Sequence, residues 1–265
     1  MPAIITRGAA SAKAFGWSGG KVVVGQQAYT TPSATNYTWV APAGVTRVSV
    51  VTVGAGQQAS ATTGGSGGGL SYINNYTVVP GNSYCVRVGT SNSSCAISYF
   101  VNSATVSGNS NPRQILPGSG GSLGAVTNGG SGGGAGGYTA AGNSGVGGSA
   151  ASGNGIAING CGGVYWWDAS GGVGILGQGA SGTANTGQGG SGGAYGTGGG
   201  QYYQCYIVCC VPTGFWFSYG GAGGGYGGGG AGSSSGNNGG GGGGAVRIIW
   251  PGCVRSFPST RTADE

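Results

Sequence analysis

GGSGGGAGGY (residues 129–138), GQGGSGGAYGTGGG (187–200), GGAGGGYGGGGAG (220–232) and GGGGGGA (239–245) decide how this chain is read. They are the densest runs of a stretch, residues 118–250, that holds 53 of the chain's 70 glycines. Two aromatic-rich inserts break the series: VYWWD at residues 164–168 and QYYQCYIVCCVPTGFWFSY at residues 201–219. Glycine-rich composition ordinarily marks a flexible linker. Two properties argue against that here. The chain is 38% hydrophobic and only 5% charged, whereas disordered segments are charge-rich and aromatic-poor. Each run is also punctuated by a large ring or an aliphatic side chain.

Ordering such a stretch is costly. Fixing one backbone takes roughly 1–2 kcal/mol, with glycine at the upper end, so fifty-odd glycines cost on the order of 50–100 kcal/mol. No side chains offset this by burial. What remains is the backbone. An extended three-fold helix of the polyproline II kind has no internal hydrogen bonds, so its N–H and C=O groups point sideways. Glycine can donate there, and without a Cβ several such helices can pack laterally. Each N–H···O bond nets roughly 0.5–1.5 kcal/mol, and Cα–H···O contacts add about 0.5–1 kcal/mol each. Only a multi-helix bundle collects enough of them. Collagen is excluded, because the G-X-Y period is absent and Pro212 is the only proline between Pro117 and Pro251.

The expected fold is all-β and irregular, with almost no α-helix. An N-terminal docking peptide (residues 1–21) precedes a β-rich antiparallel platform (22–117). A bundle of polyglycine II helices follows (118–250), with aromatic loops inserted at 164–168 and 201–219. A tail (251–265) closes the chain.

Within the platform, YTWV reads as a short strand at Tyr37–Val40, ahead of a Pro-Ala-Gly turn and a β-branched strand at residues 45–53. A Gly-Ser loop is expected at 54–69. LSYINNYTVV (70–79) is the next strand, and Pro80-Gly81 the next turn. SYCVRVG (83–89) and SCAISYFV (94–101) read as a hairpin. No 3.6-residue period occurs, and an antiparallel sandwich or half-sandwich is the expected object. Later, AVRIIWPG (245–252) reads as an apolar strand that closes the bundle or pairs with the platform. RSFPSTRTADE is a polar exit that Phe257-Pro258 tucks down.

Charge and composition exclude several functions. There is no histidine, and the only acids are Asp168, Asp264 and Glu265. The net charge of +6 comes from missing acids, since the nine Lys and Arg are scattered; a nucleic-acid reader clusters its bases on one face. Ser-His-Asp and Cys-His chemistry lack their base, glycoside hydrolysis lacks its carboxylate pair, and the glycine runs carry no lysine for a phosphate loop. No catalytic residue, cofactor or metal is expected. The start MPAIITRGAASAKAF has no apolar signal core, and no run reaches 18 apolar residues, so neither a secretory signal nor membrane insertion is expected.

Seven cysteines are present: Cys85, Cys95, Cys161, Cys205, Cys209, Cys210 and Cys253. Without a CxxC pair or histidine, zinc is unfavoured. Cys85 and Cys95 flank the proposed hairpin turn, so a disulfide between them is geometrically possible. Cys161 and Cys253 read as buried small hydrophobes, and Cys205 with Cys209 or Cys210 is a candidate staple for the second insert.

Binding survives the exclusions. Rings are rigid and amphipathic, which suits recognition. The candidate contact residues are Tyr165, Trp166, Trp167 and Asp168 in the first insert. In the second they are Tyr202, Tyr203, Tyr206, Phe215, Trp216, Phe217 and Tyr219. The competing reading is that these rings cover the scaffold or bury a subunit interface. At the N-terminus, Arg7, Phe15 and Trp17 are either part of a frayed end or docking anchors for a partner.

These runs with aromatic inserts resemble the glycine-rich tip adhesin of the long tail fibres of T-even-like bacteriophages. TWVAPAGVTRVSVVTVG and GGGLSYINNYTVVPG resemble a glycine-rich domain recurrent in phage virion proteins. The start ITRGAASAKAFGW and the end GGGGGGAVRIIWPGCVRSFPSTRTADE resemble glycine-rich virion proteins of phages that infect cyanobacteria. The start differs from that of the tip adhesins, and the β platform is larger. The resemblance implies a virion fibre or tail-tip adhesin, assembled in the host cytoplasm, released by lysis and acting outside the cell. It implies attachment to other virion proteins through the N-terminus, a homo-oligomer on the fibre, and a host receptor (glycan or outer-membrane protein) met by residues 164–168 and 201–219. The alternative is a structural or decoration protein whose rings make capsid or tail contacts.

Overall fold

The computed structural model describes residues 23–60, 63–91, 97–100, 120–122, 135–138, 171–177, 200–208, 211–219, 222–231 and 237–258. Ten strands lie among them: β1 (Gly25–Tyr29), β2 (Tyr37–Val40), β3 (Arg47–Val53), β4 (Leu70–Thr77), β5 (Ser83–Arg87), β6 (Tyr99–Phe100), β7 (Gly120–Ser122), β8 (Gly200–Val208), β9 (Val211–Tyr219) and β10 (Ala245–Trp250). The described residues contain no helix, and every pairing is antiparallel. The chain is thus all-β as far as it is described.

A five-stranded sheet has the order β1-β10-β3-β4-β7, and a three-stranded sheet the order β2-β5-β6. The strand at 245–250 therefore pairs with the platform. It enters between β1 and β3, with Gly25 opposite Trp250 on one side and Ala245 opposite Val53 on the other. Its burial explains its composition. A half-buried strand alternates apolar and polar, whereas one covered on both faces reads as a continuous apolar run. All six residues of AVRIIW are buried, as are six of the seven in β3.

Each face of β3 and β10 feeds a separate core. Val48, Val50, Val246, Ile248 and Trp250 meet Trp39, Val86 and Phe100 of the smaller sheet, and Val88 just beyond β5. Trp39 sits in the middle, its ring centroid 5.6 Å from Tyr84, 5.8 Å from Phe100 and 5.9 Å from Trp250. On the opposite face, Val51, Val53, Leu70, Ala245 and Ile249 are covered by Tyr138, Val173, Ile175 and Phe257, with Tyr226 and Ala135 packed at the margin. The large residues that punctuate the described glycine-rich segments are thus what glues a third layer onto the sheet.

Within that layer the main chain is bonded sideways with a period of three. Gly54, Gln57 and Ser60 donate to the carbonyls of Gly69, Ser66 and Thr63 at 2.8–2.9 Å. Gly65 and Gly68 donate to Gly230 and Gly227 at 2.8 and 2.7 Å. Gly239 and Gly242 donate to Ala231 and Gly228, while Gly56 and Ala59 donate back to Gly242 and Gly239. Four segments (54–60, 63–69, 222–231 and 237–244) so close into one antiparallel packet, with 135–138 joined to it through Gly136 and Gly68. The approach is too close for any side chain at some positions: a Cβ on Gly68 would overlap the carbonyl of Gly54, and one on Gly230 the carbonyl of Gly239. The Gly-Ser stretch expected to be a loop at 54–69 is therefore part of the glycine layer.

The exit is tucked down. Phe257 is buried and stacked on Tyr138, with centroids 5.9 Å apart and planes 18° apart. Asn74 holds it by both main-chain groups, Nδ2 donating to the Phe257 carbonyl at 2.6 Å and Oδ1 accepting from its N–H at 2.9 Å.

Candidate functional site

The second aromatic insert is a β-hairpin and not a loop. β8 and β9 run in continuous register from Gly200 opposite Tyr219 to Val208 opposite Val211. Together they form a two-stranded sheet that pairs with none of the other described strands. The cause is local: Tyr, Phe, Trp, Ile, Val and Thr favour the pleated backbone, and no charged residue interrupts residues 201–219. Pro212 lacks a donor, which restricts it to an edge, and in two strands both are edges. Two residues, Cys209 and Cys210, separate the last paired positions.

Residues directly opposite in an antiparallel pair share a face. One face therefore carries Tyr202 with Phe217, Gln204 with Phe215, Tyr206 with Thr213, and Tyr219 with Gly200. The other carries Gln201 with Ser218, Tyr203 with Trp216, Cys205 with Gly214, and Ile207 with Pro212. Seven candidate residues of the insert are thus brought onto one small ladder and divided between its two faces. Tyr165, Trp166, Trp167 and Asp168 lie outside the described residues, as do Arg7, Phe15 and Trp17 of the docking peptide.

The cysteine expectations need correction. Cys85 is a free, exposed thiol. The β5–β6 register opposes Val86 with Phe100 and Arg87 with Tyr99, so the partners of β5 come several residues after Cys95, which itself lies outside the described residues. Cys253, expected to be buried, is also free and exposed. It falls in the turn after β10, where the chain leaves the core. Cys205 stands opposite Gly214; Cys161, Cys209 and Cys210 lie outside the described residues.

Beneath the glycine layer is polar chemistry that the sequence reading missed. Arg247 is buried in the middle of β10. Its guanidinium donates to the Ile175 carbonyl at 3.2 Å and to the Gln26 amide oxygen. Tyr138 is also buried, donating to the Gly174 carbonyl and accepting from the Gly177 N–H, both at 3.2 Å. Burial pushes its phenol well above the ordinary value, against smaller opposing pulls from the Gly177 N–H and the Arg247 charge. Arg255 caps the carbonyls of Gly25 (2.8 Å) and Trp250 (3.4 Å). Arg247 thus ties the 171–177 segment to the sheet, Tyr138 ties that segment to 135–138, and Arg255 holds the turn after β10 against β1 and β10. The available signal was an arginine inside an apolar strand, which has to find acceptors when buried.

Among the described residues, no group of three or more His, Cys, Asp or Glu could hold a metal ion, and no helix is long and apolar enough to cross a membrane. The hairpin offers neutral chemistry only: ring faces, phenol and alcohol hydroxyls, and carboxamides. No family model matches the chain, and no curated protein matches it.

Proposed function

We propose that this chain is a phage virion fibre or tail-tip adhesin, binding a receptor on the host surface through aromatic segments carried by a glycine-rich scaffold. The observation that carries the reading is the uncharged β8–β9 hairpin, which pairs with no other described strand. Contact residues are commonly carried on segments projecting from a rigid support, and a ladder rich in Tyr, Trp and Phe is the composition of a recognition surface.

The scaffold is, on this reading, a polyglycine II bundle. The three-residue period of the lateral bonds supports it, since a three-fold extended helix presents an N–H to the same neighbour once per turn. Receptor contact falls to Tyr202, Tyr203, Tyr206, Phe215, Trp216, Phe217 and Tyr219, together with Tyr165, Trp166, Trp167 and Asp168. Arg7, Phe15 and Trp17 attach the chain to other virion proteins, and the protein acts from the particle surface. The two ends resemble virion proteins of phages that infect cyanobacteria, which makes cyanobacterial strains the first to be tested.

The test is adsorption. The full chain, fluorescently labelled, is offered to a panel of cyanobacterial strains, beside a variant whose residues 202–219 are replaced by a short Gly-Ser linker. The variant is expected to keep the melting transition of the sandwich and to lose adsorption to the strains that bind the parent. A folded variant that adsorbs as well as the parent refutes the reading. A particle-decoration role would show instead as particles that lose integrity with the variant while adsorption is unchanged.

A further inference from the structure

The sandwich has two unlike ends. At one of them β1 begins, β10 finishes, β3 begins and β4 finishes, because Gly25 stands opposite Trp250, Ile249 opposite Ser49, and Arg47 opposite Thr77. The smaller sheet turns round at the same end. Val40, the last residue of β2, is opposite Ser83, the first of β5. The short link from β2 to β3 is fastened there: the Gly81 N–H donates to the Ala41 carbonyl at 2.8 Å, and the Val78 N–H to the Thr46 carbonyl at 2.9 Å. At the other end, Val53, Leu70 and Ala245 adjoin the glycine layer.

Exposed apolar side chains gather at the first end. The described residues leave six large aliphatic side chains exposed, and five of them are here: Val23, Val24, Val40, Val79 and Val254, between 39% and 72% exposed. Their placement follows from the ladders. Val23 and Val24 precede Gly25, and a Cβ on Gly44 would lie 3.5 Å from a Val23 methyl group. Val79 follows β4, its carbonyl accepting from the Asn82 N–H at 3.0 Å. Val254 lies in the turn after β10, which the Gly252 N–H ties to the Arg47 carbonyl at 2.8 Å. A single exposed valine is ordinary on a protein surface. Five at one end, among exposed Thr46, Thr77, Asn82 and Ser83, mark a contact surface.

We infer that this end is the face by which the chain joins the particle, and that it seats on another virion protein whose apolar surface is rimmed by carboxylates; this rests on the virion reading above. Two observations choose that occupant. Residues 1–22, with the docking candidates Arg7, Phe15 and Trp17, join the described fold at Val23. The N-terminal anchors are therefore continuous in sequence with the valine end. Charge supplies the second observation. Exposed Arg47 stands at this end, Lys21 is two residues before Val23, Arg7 and Lys13 precede it, and the first acid in the sequence is Asp168. Interfaces commonly combine an apolar centre with a polar rim, and complementary charge at the rim steers the encounter. A second copy would set the same cations against one another, whereas an acidic partner pairs them.

The experiment counts copies of the chain on purified particles by mass spectrometry. Particles are assembled with the parent, with a variant carrying Val24→Gln, Val79→Gln and Val254→Gln together, and with the hairpin replacement. The triple variant should melt as the parent does and be incorporated about tenfold less or worse, the size of an anchor loss. As a free labelled chain it should still adsorb to cells. The hairpin replacement should show the reverse, full incorporation without adsorption. Arg47→Glu should also lower incorporation at an unchanged melting temperature. A second readout needs no substitution: Cys253, the exposed thiol beside Val254, should be alkylated readily in the free chain and slowly on intact particles. Full incorporation of the folded triple variant, or equal alkylation of Cys253 in both states, overturns the inference and leaves the adhesin reading standing. Undiminished incorporation of Arg47→Glu overturns the acidic rim. Self-association of the parent that the triple variant abolishes in sedimentation would give this end to a second copy, and binding to anionic phospholipid vesicles that the variant abolishes would give it to a membrane; either result overturns the inference. Absence of the parent chain from particles refutes the virion reading, and this inference with it.

Discussion

Replacing Gly68 by Ala adds one methyl group at the tightest kind of contact in the glycine layer. The new Cβ would overlap the main-chain carbonyl of Gly54. A carbonyl cannot rotate away as the tip of a flexible side chain can, so segment 63–69 has to shift as a whole. Three bonds go with it: Gly54 N–H to Gly69 at 2.9 Å, Gly68 N–H to Gly227 at 2.7 Å, and Gly136 N–H to Gly68 at 2.9 Å. At about 1 kcal/mol each, their loss costs about 3 kcal/mol. The substitution also stiffens the unfolded chain, which returns about 0.4–1 kcal/mol. The net expectation is a destabilisation of about 2 kcal/mol. Gly81→Ala is the control. Nothing lies within 4 Å of its Cβ position, but its φ is +82°, a strain of about 1–2 kcal/mol with no neighbour displaced. Urea denaturation followed by tryptophan fluorescence reads both. Hydrogen exchange should separate them, since Gly68→Ala exposes the amides of Gly54, Gly68 and Gly136 together while Gly81→Ala leaves them protected. If Gly68→Ala costs less than about 0.5 kcal/mol and those amides keep their protection, the lateral packing argument is wrong.

Trp39→Ala removes the ring around which Tyr84, Phe100 and Trp250 gather and is expected to cost about 3–5 kcal/mol in chemical denaturation; a cost near zero would mean that the two sheets are not held together there. For Tyr138 the sign follows from the raised folded-state value. The unfolded chain gives up the phenolic proton near pH 10 while the folded chain holds it, so the contribution is complete below about pH 10 and is lost as pH rises beyond it. Tyr138→Phe should flatten that alkaline decline in melts between neutral and strongly alkaline pH, and identical profiles for the two proteins would rule the assignment out.

Strands whose stability comes from their own side chains were legible. The β-branched run in β3, the Tyr37–Val40 strand and the apolar strand at the end of the glycine layer stand where their residues predict. What sequence order conceals is partnership. GQQAY in β1 has neither a β-branched residue nor a two-residue alternation; it is a strand because β10 offers it a ladder from Trp250 to Val246. The Gly-Ser stretch at 54–69 carries the same composition whether free or bonded, and its bonds to Gly227, Gly230, Gly239 and Gly242 come from chain far away. In the hairpin the aromatic residues were recognised as a unit, but their runs obscured the period of two, so the insert read as a loop. The division between its faces becomes visible only once Tyr203 is known to stand opposite Trp216. Cys85 misled for the related reason that a turn was counted from the sequence, and the ladder put its partners elsewhere.

The position of β10 bears on how the molecule is made. β1 and β3 emerge early from the ribosome, yet the strand that belongs between them is translated only after everything from Val53 to Ala245. Until then the nascent chain holds two long edges apart with their inner ladders open, a state prone to pairing with the wrong neighbour. A product cut short before residue 245 can never fill that gap. Protein synthesis thereby acts as its own proofreader, because a polypeptide missing β10 lacks an interior strand of its five-stranded sheet.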